Sequence, residues 1–229
     1  MGDAGAHSTR RTFLAGGGAL AAAMTMLPLA RAFGGPVDFN LEEATIASLQ
    51  AAMQSGRLTA AALLDLYLAR IQALDWNGPT LRSVQETNPE ARASAQALDE
   101  ERRNKGPRGP LHGIPILIKD NIATADKMET TAGALALVGA RPREDATIAR
   151  KLREAGMVIL GKASMSEWAY WKSTPASSGW SARDGQSRNP YGLDRTPCGS
   201  SSARSLRNSS SPGYICSSVA ALTRESLAR

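Results

Sequence analysis

The sequence predicts an α/β fold in which a mixed central sheet is flanked by helices. Two short apolar runs, residues 116–118 and 156–161, have the length and composition of buried strands. A segment with helical apolar spacing precedes each of them. Helices that alternate with buried strands are typical of an α/β domain with a largely parallel or mixed sheet.

Two helices are expected before the first strand region. Residues 41–53 carry apolar side chains at roughly helical spacing, and Gly56 follows as a stop. Thr59 is a suitable N-cap for a second helix over residues 60–74, which has one apolar face.

Two further helices lie on either side of the first strand. Asn88 and Pro89 predict a third helix that continues to about Arg103, with Pro89 at the first helical position. Residues 145–155 have the pattern of a short amphipathic helix. Residues 173–202 have no periodicity and are rich in Ser, Gly, Asn and Pro, which is typical of a functional loop or of disorder.

The composition is that of a globular protein, with 42% hydrophobic and 21% charged residues. A Cys/His zinc site usually needs four ligands in close spacing, and the two histidines and two cysteines are spread along the chain, so we expect no metal. We also expect no cofactor. His7 lies in a segment that we expect to be removed. If the protein is a hydrolase, a base other than histidine is therefore expected, with His112 as the remaining alternative.

The first 32 residues have the pattern of a twin-arginine export signal of a bacterium. Arg10 and Arg11 precede a small, apolar stretch over residues 15–29, and residues 30–32 form a small-x-small cleavage pattern. The alternative is a membrane helix, but the run is shorter than the ~20 residues that a bilayer requires. We therefore expect the twin-arginine export machinery as a partner, a periplasmic or secreted location and no stable membrane anchor.

Charge argues against a nucleic-acid partner. The whole chain has 27 basic and 21 acidic residues, a net charge of +6. Without residues 1–32, 24 basic and 20 acidic residues remain, and a scattered +4 is too mild for nucleic-acid binding. An exported protein is free to form disulfides, for which Cys198 and Cys216 are only a candidate pair.

Lys119 is the first candidate for chemistry. It follows the apolar residues 116–118, and a lysine at the end of a central strand is partly desolvated. Desolvation disfavours the ammonium form and lowers the pKa toward that of a useful base. The alternative is an ordinary lysine that pairs with Asp120 or extends to solvent.

The run from Cys198 to Ser202 is the second candidate. Its sequence, Cys-Gly-Ser-Ser-Ser, offers hydroxyl groups and backbone N–H groups in a tight turn. Such groups serve as proton relays and as donors to an oxyanion. The alternative is a flexible linker, because Gly/Ser runs are common in linkers.

Taken together and in order, these motifs resemble the amidase signature family. The resemblance covers roughly residues 37–202 and defines an amidase domain portion over residues 33–202. It rests on Gly-Pro-Leu-His-Gly-Ile-Pro at 109–115 with Lys-Asp-Asn at 119–121, on Gly-Lys-Ala-Ser-Met-Ser-Glu-Trp at 161–168, on Arg-Asn-Pro-Tyr at 188–191, and on Thr-Pro-Cys-Gly-Ser-Ser-Ser at 196–202. Gly-Trp-Ser-Ala-Arg at 179–183 is most similar to the bacterial peptide amidase branch, which removes the C-terminal amide of peptides.

The resemblance implies hydrolysis of an amide or peptide-amide substrate by a Ser–cis-Ser–Lys triad, without a cofactor. The lysine of the family's Lys-x-Asn element falls on Lys119, the general base. The bridging serine, at a cis peptide bond, falls on Ser200, and Ser201 is a secondary hydrogen-bonding residue. Cys198 replaces the family's first loop glycine, as in the peptide amidase branch. His112 is then expected to be structural.

The sequence departs from the family after residue 202. The family places its nucleophilic serine in a glycine-rich turn about two dozen residues after the bridging serine. Ser226 is close to that position, but Thr-Arg-Glu precedes it, so no nucleophile is identifiable. We expect residues 203–229 to be a divergent tail. The amidase fold would then be truncated, and amidase activity of this chain would be doubtful. Our hypothesis is that the reading frame changes after Ser202. If so, translation of the coding DNA in another frame should give an Ala/Gly-rich helix and a Gly-Ser turn.

Two other functions compete with descent from an amidase. One is a non-catalytic, truncated remnant, for which a broad unfolding transition is expected. The other is a secreted binding module that uses Trp168, Trp171 and Trp180 as its surface and unfolds cooperatively.

Overall fold

The fold is built from four α-helices and two small sheets in the described part of the chain. The structure is a computed structural model, and it describes residues 39–41, 44–171, 175, 177–197 and 199–201. The expected export signal, the tail over residues 203–229, Cys198, Cys216 and Ser226 lie outside these residues. The elements are α1 (Ile46–Gln54), α2 (Ala60–Arg70), β1 (Val84–Thr87), α3 (Ala91–Lys105), β2 (Pro115–Lys119), α4 (Thr147–Glu154), β3 (Val158–Ala163), β4 (Trp180–Ser181) and β5 (Gly185–Gln186).

The larger sheet is mixed, as the sequence predicts. Its strand order is β1-β3-β2, with β3 in the centre. β2 runs parallel to β3, and β1 runs antiparallel to it. Each strand residue of β3 is buried, as are the first four of β2, which explains the apolar runs over residues 116–118 and 158–160.

The register of this sheet determines where the loops meet. Lys119 at the end of β2 is the Cα partner of Ala163 at the end of β3. Because the strands are parallel, the segments that follow them leave the same edge of the sheet. The loop after Lys119 and the segment after Ala163 therefore lie side by side.

Side chains that cap the helices set their first residues. The Thr45 side chain accepts a hydrogen bond from the Ser48 N–H, and the Ser48 side chain accepts one from the Thr45 N–H. This capping box starts α1 at Ile46 and not at residue 41. Thr59 caps α2 as predicted, with its hydroxyl 3.0 Å from the Ala62 nitrogen.

The third helix begins two residues later than the sequence predicts. Asn88 binds the sheet, because its backbone N–H donates to the Leu160 carbonyl and its amide donates to the Ile159 carbonyl. Its side-chain oxygen accepts from the Glu90 N–H, so the chain turns over Pro89 and α3 starts at Ala91.

α2 and α3 are joined by a carboxylate. Asp99 on α3 accepts from the backbone N–H groups of Ala60 and Ala61, at 2.7 and 3.0 Å. These are two of the N–H groups that have no partner within a helix, and the negative charge also suits the positive end of the helix dipole. This contact fixes the start of α2 against α3 and closes the apolar core between the helices and the sheet.

Three elements were not expected from the sequence. β1 has only one buried residue among four, so it shows no apolar alternation. β4 and β5 were also unexpected, and they pair as two-residue strands joined by a three-residue loop. The helix predicted over residues 60–74 is α2 followed by a π-helical turn, Ile71–Asn77. The core of all these elements belongs to the unit Val37–Arg229.

Candidate active site

Lys119 lies at the carboxyl end of β2, directly after the fully buried Ile118. Its side chain is half-buried. Burial lowers the pKa of the Lys119 ammonium, because the charged form loses solvation at the edge of the sheet. The structure therefore favours the neutral amine at Lys119 more than at an exposed lysine.

Lys119 and Ser200 are in direct contact. The Nζ atom of Lys119 donates a hydrogen bond of 3.0 Å to the Oγ atom of Ser200. An amine and a hydroxyl at this distance are placed for proton transfer in either direction. The two residues that the sequence motifs combine thus lie in one site.

The loop that follows Lys119 is held by Asp120. This carboxylate is completely buried and accepts from Thr131 twice, from its N–H at 3.2 Å and from its hydroxyl at 2.6 Å. It also accepts from the Gly133 N–H at 2.9 Å. Asp120 therefore binds the loop to a neighbouring segment and not to Lys119, in contrast to the pairing that the sequence left open.

A second lysine supports the same loop from the central strand. Lys162 in β3 is completely buried, and its ammonium donates to the Ile122 carbonyl and to the Thr130 hydroxyl. Burial lowers the pKa of Lys162, and the charges of Asp120 and other acidic groups oppose that change. Lys162 has hydrogen-bond acceptors and nearby carboxylates, so its role differs from that of Lys119.

Ser200 is held through the residue before it. Gly199 has a φ angle of +133°, a conformation that side chains disfavour, which explains a glycine at this position. The Gly199 N–H donates to the Ser178 hydroxyl at 2.9 Å. The Gly199 carbonyl accepts from three hydroxyl groups, Ser178 at 2.9 Å, Tyr170 at 3.0 Å and Ser166 at 3.4 Å.

Tyr170 reaches Gly199 from a left-handed turn. Trp168, Ala169 and Tyr170 have φ angles of 51°, 54° and 73°. Left-handed backbone costs roughly 1–2 kcal/mol for each residue that is not glycine. Backbone hydrogen bonds hold the turn, since the Trp168 N–H donates to Ala132 and the Ala169 N–H donates to Ser166. A turn this costly next to a candidate site is typical of functional backbone strain.

Sequence reasoning missed the three hydroxyl groups around Gly199. Ser178 lies in the aperiodic stretch of residues 173–202, and Ser166 and Tyr170 precede it without a distinctive spacing. The only available signal was the density of hydroxyl-bearing residues after β3, which does not indicate which carbonyl they would bind.

His112 has a structural environment. It is completely buried, its Nε2 atom lies 2.9 Å from the Leu98 carbonyl oxygen, and its Nδ1 atom accepts from the Arg108 N–H at 3.3 Å. Gly156 packs so closely that a Cβ atom there would lie 2.9 Å from His112 Nδ1. These contacts join α3 to the turn between α4 and β3, and none of them involves Lys119 or Ser200.

The remaining features near the loop concern its surface. Ser201 is half-buried and follows Ser200 directly. Trp171 is 87% exposed, Trp180 47% and Trp168 37%, values that are high for tryptophan. Within the described ranges, no group of three or more His, Cys, Asp or Glu residues could hold a metal ion. No helix there has both the length and the apolar character needed to cross a bilayer.

The sequence matches a model of a known protein family. The family model described as Amidase matches residues 62–204. A probable amidase of Arabidopsis thaliana is 46% identical over 170 residues, which are 73% of this chain and 33% of the relative. A putative amidase of Schizosaccharomyces pombe is 46% identical over 169 residues, 74% of this chain and 28% of that relative.

Solved structures agree with the sequence comparison. The native peptide amidase from Stenotrophomonas maltophilia superposes with a TM-score of 0.70 and 51% identity, over 74% of this chain and 35% of that enzyme. The chain therefore spans about a third of the length of the relatives it matches. The family match, which covers more than half of the chain, includes both Lys119 and Ser200, and the chain belongs to the amidase family.

Proposed function

We propose that this chain carries the proton-transfer half of an amidase site, which hydrolyses the C–N bond of an amide by a Ser–cis-Ser–Lys mechanism. Lys119 is the general base, Ser200 is the bridging residue at a cis peptide bond, and Ser201 is a secondary hydrogen-bonding residue. The observation that carries the proposal is the 3.0 Å hydrogen bond between Lys119 Nζ and Ser200 Oγ. The lowered pKa of Lys119, caused by burial, supports it.

The chemistry follows from the two groups. Neutral Lys119 accepts the Ser200 hydroxyl proton while Ser200 takes a proton from a serine nucleophile, whose oxygen attacks the amide carbon. The tetrahedral oxyanion collapses to an acyl-enzyme, and the leaving nitrogen receives the proton from Lys119 through Ser200. Water then repeats the sequence, with the carboxylic acid as product and serine restored.

The nucleophile is the part that the 229 residues do not identify. Ser226 follows Thr-Arg-Glu and not a glycine turn, and it lies outside the described residues. We therefore propose that residues 1–229 alone have no amidase activity. Purified chain incubated with a peptide amide should release no more ammonia than its Lys119→Met variant. Turnover above that variant would contradict the proposed inactivity.

A chimera tests the mechanism itself. Residues 37–201 of this chain would replace the matching N-terminal portion of the Stenotrophomonas maltophilia peptide amidase, and ammonia release from a peptide amide would be measured. We expect hydrolysis by the chimera and a loss of roughly 1,000-fold or more in kcat for Lys119→Met and for Ser200→Ala.

Matched variants control for general damage to the chimera. Lys127 is a surface lysine whose side chain is 67% exposed, and Ser55 is an exposed serine after α1. Lys127→Met and Ser55→Ala should leave kcat within about twofold, as surface substitutions usually do. A chimera in which Lys119→Met hydrolyses as fast as the unsubstituted form would refute the proposed base.

The substrate that we propose is a small amide or the C-terminal amide of a peptide, because peptide amidases are among the similar structures.

We also propose export to the periplasm or beyond by the twin-arginine machinery. Replacing both Arg10 and Arg11 by lysine should retain the protein in the cytoplasmic fraction, as detected by immunoblotting of cell fractions. Unchanged export of that variant would contradict the proposed route.

A binding role is the second candidate, favoured by the exposure of Trp168, Trp171 and Trp180. Such a module must unfold cooperatively, whereas a non-catalytic remnant should unfold over a broad temperature range. Differential scanning calorimetry of the full chain distinguishes the two.

A further inference from the structure

The peptide group between Gly199 and Ser200 is surrounded by hydroxyl groups of Ser166, Tyr170 and Ser178, which we call the hydroxyl clamp. We propose that the hydroxyl clamp consists of positioning residues, which orient Ser200 so that its Oγ atom lies against the amine of Lys119. This inference rests on the proposed function and adds three residues that act through Ser200.

The directions of the clamp protons follow from the hydrogen-bond partners. A hydroxyl has one proton to donate and two lone pairs that accept. Ser178 accepts from the Gly199 N–H at 2.9 Å, and Ser166 accepts from the Gly179 N–H at 2.8 Å. Their protons are therefore free for the Gly199 carbonyl oxygen, on which Tyr170 also converges.

Holding this carbonyl also fixes the orientation of Ser200. The Gly199 carbonyl and the Ser200 nitrogen belong to the same planar peptide group. With the plane fixed, the direction of the Ser200 Cα–Cβ bond is restricted, and few side-chain rotamers place Oγ within reach of Lys119. Gly199 itself permits many conformations, so the restriction must come from its partners.

The clamp is assembled from two segments of the chain, residues 166–170 and Ser178. Ser166 follows β3, Tyr170 ends the left-handed turn, and Ser178 precedes β4. Strained backbone persists only where the surrounding structure holds it. The turn over residues 168–170 thus has a specific consequence, which is to bring the Tyr170 hydroxyl to the Gly199 carbonyl.

The test measures the state of the Lys119 amine in the full 229-residue chain and does not require turnover. Acetic anhydride would be applied at a series of pH values from 6 to 11, and acetylation of Lys119 would be quantified by peptide mass spectrometry. Lys127, on the surface, serves as the internal reference. Ser200→Ala should lower the midpoint of the Lys119 profile by roughly 0.5–1 pH unit, since it removes the hydroxyl that accepts a hydrogen bond from the ammonium.

A double-mutant cycle then separates positioning from general stability. Ser178→Ala and Tyr170→Phe should each shift the Lys119 midpoint in the same direction as Ser200→Ala. Combined with Ser200→Ala, they should add nothing, because the clamp acts only through Ser200. Ser178→Thr, which keeps the hydroxyl, should restore the profile of the unsubstituted chain.

Each outcome is decisive. Clamp variants that lower the unfolding temperature but leave the Lys119 profile unchanged would overturn the inference, as would shifts that persist undiminished in the Ser200→Ala background. If Ser178→Ala does not fold, the cycle with Tyr170→Phe decides alone. If Ser200→Ala itself leaves the profile unchanged, the Lys119–Ser200 pairing fails and the proposed function fails with it, which distinguishes the two failures.

Discussion

The amine of Lys119 lies 3.0 Å from the hydroxyl of Ser200, although 81 residues of sequence separate them. This contact joins the end of a buried strand to a glycine-serine loop. Burial lowers the pKa of Lys119, which suits its amine to the proposed proton transfer. The loss of solvation at Lys119 should lower the free energy of unfolding by a measurable amount.

Lys119→Met should stabilise the protein at pH 7. The folded-state pKa of Lys119 is depressed, so the unfolded chain binds its proton more tightly, and protonation favours unfolding below the unfolded pKa. Because Lys119 is only half-buried, we expect a modest gain of about 0.5–1 kcal/mol in the free energy of unfolding. Urea denaturation measures it, with Lys127→Met as a control that should change little. A loss of stability in Lys119→Met would contradict this prediction.

Lys162→Met should have the opposite effect. Lys162 is also buried, but its ammonium donates to the Ile122 carbonyl and to the Thr130 hydroxyl. Methionine would leave these acceptors without their donor and would remove a positive charge near Asp120. We expect a loss of roughly 2–4 kcal/mol in the free energy of unfolding, measured in the same urea experiment. An unchanged or increased stability would show that the ammonium is dispensable.

Asp99→Ala should destabilise the junction of α2 with α3. The carboxylate accepts from the Ala60 and Ala61 N–H groups, which would lose their partners. The expected loss is about 3–6 kcal/mol, mainly from two hydrogen bonds to a charged group with a smaller helix-dipole contribution. Glu100→Ala, at the exposed neighbouring position, is the matched control and should change the unfolding midpoint little. Equal effects of the two substitutions would refute the tertiary cap.

Asp184 should make stability depend on pH. Burial raises the pKa of this carboxyl from 3.8 to about 6, while the charge of Arg183 opposes the shift. Between these values the folded state binds the extra proton, so the free energy of unfolding falls as pH rises from about 4 to 6. Asp184→Asn should be more stable than the unsubstituted chain by roughly 1–2 kcal/mol at pH 7 and no different at pH 4.

Thermal unfolding of both forms at a series of pH values measures this difference. Asp194→Asn is the control, because the Asp194 side chain is 82% exposed. A stability difference between Asp184→Asn and the unsubstituted chain that does not vary with pH would contradict the assignment.

Local pattern was enough to predict most of the described elements. The apolar runs before Lys119 and around Leu160 are β2 and β3, because strands buried on both faces have no polar alternation. Thr59 caps α2 as predicted, since capping depends on a few adjacent residues. The predicted start of α3 was wrong by two residues, because Asn88 also binds the carbonyl groups of β3.

Other elements depend on contacts that a linear pattern does not contain. β1 exists because Val84 and Thr87 pair with β3, and its sequence has no strand period of its own. The left-handed turn at Trp168 likewise runs against local preference and is held by its neighbours.

By itself, the sequence determined the family, the α/β class and the two candidate residues, Lys119 and Ser200, because motifs depend on residue type and order alone. Only the tertiary structure decided that Lys119 meets Ser200, that Asp120 turns away to bind Thr131, and that three hydroxyl groups converge on the Gly199 carbonyl. The physical reason is that these contacts join segments far apart in the chain. Their geometry is set by the parallel pairing of β2 with β3 and by the burial that follows from it.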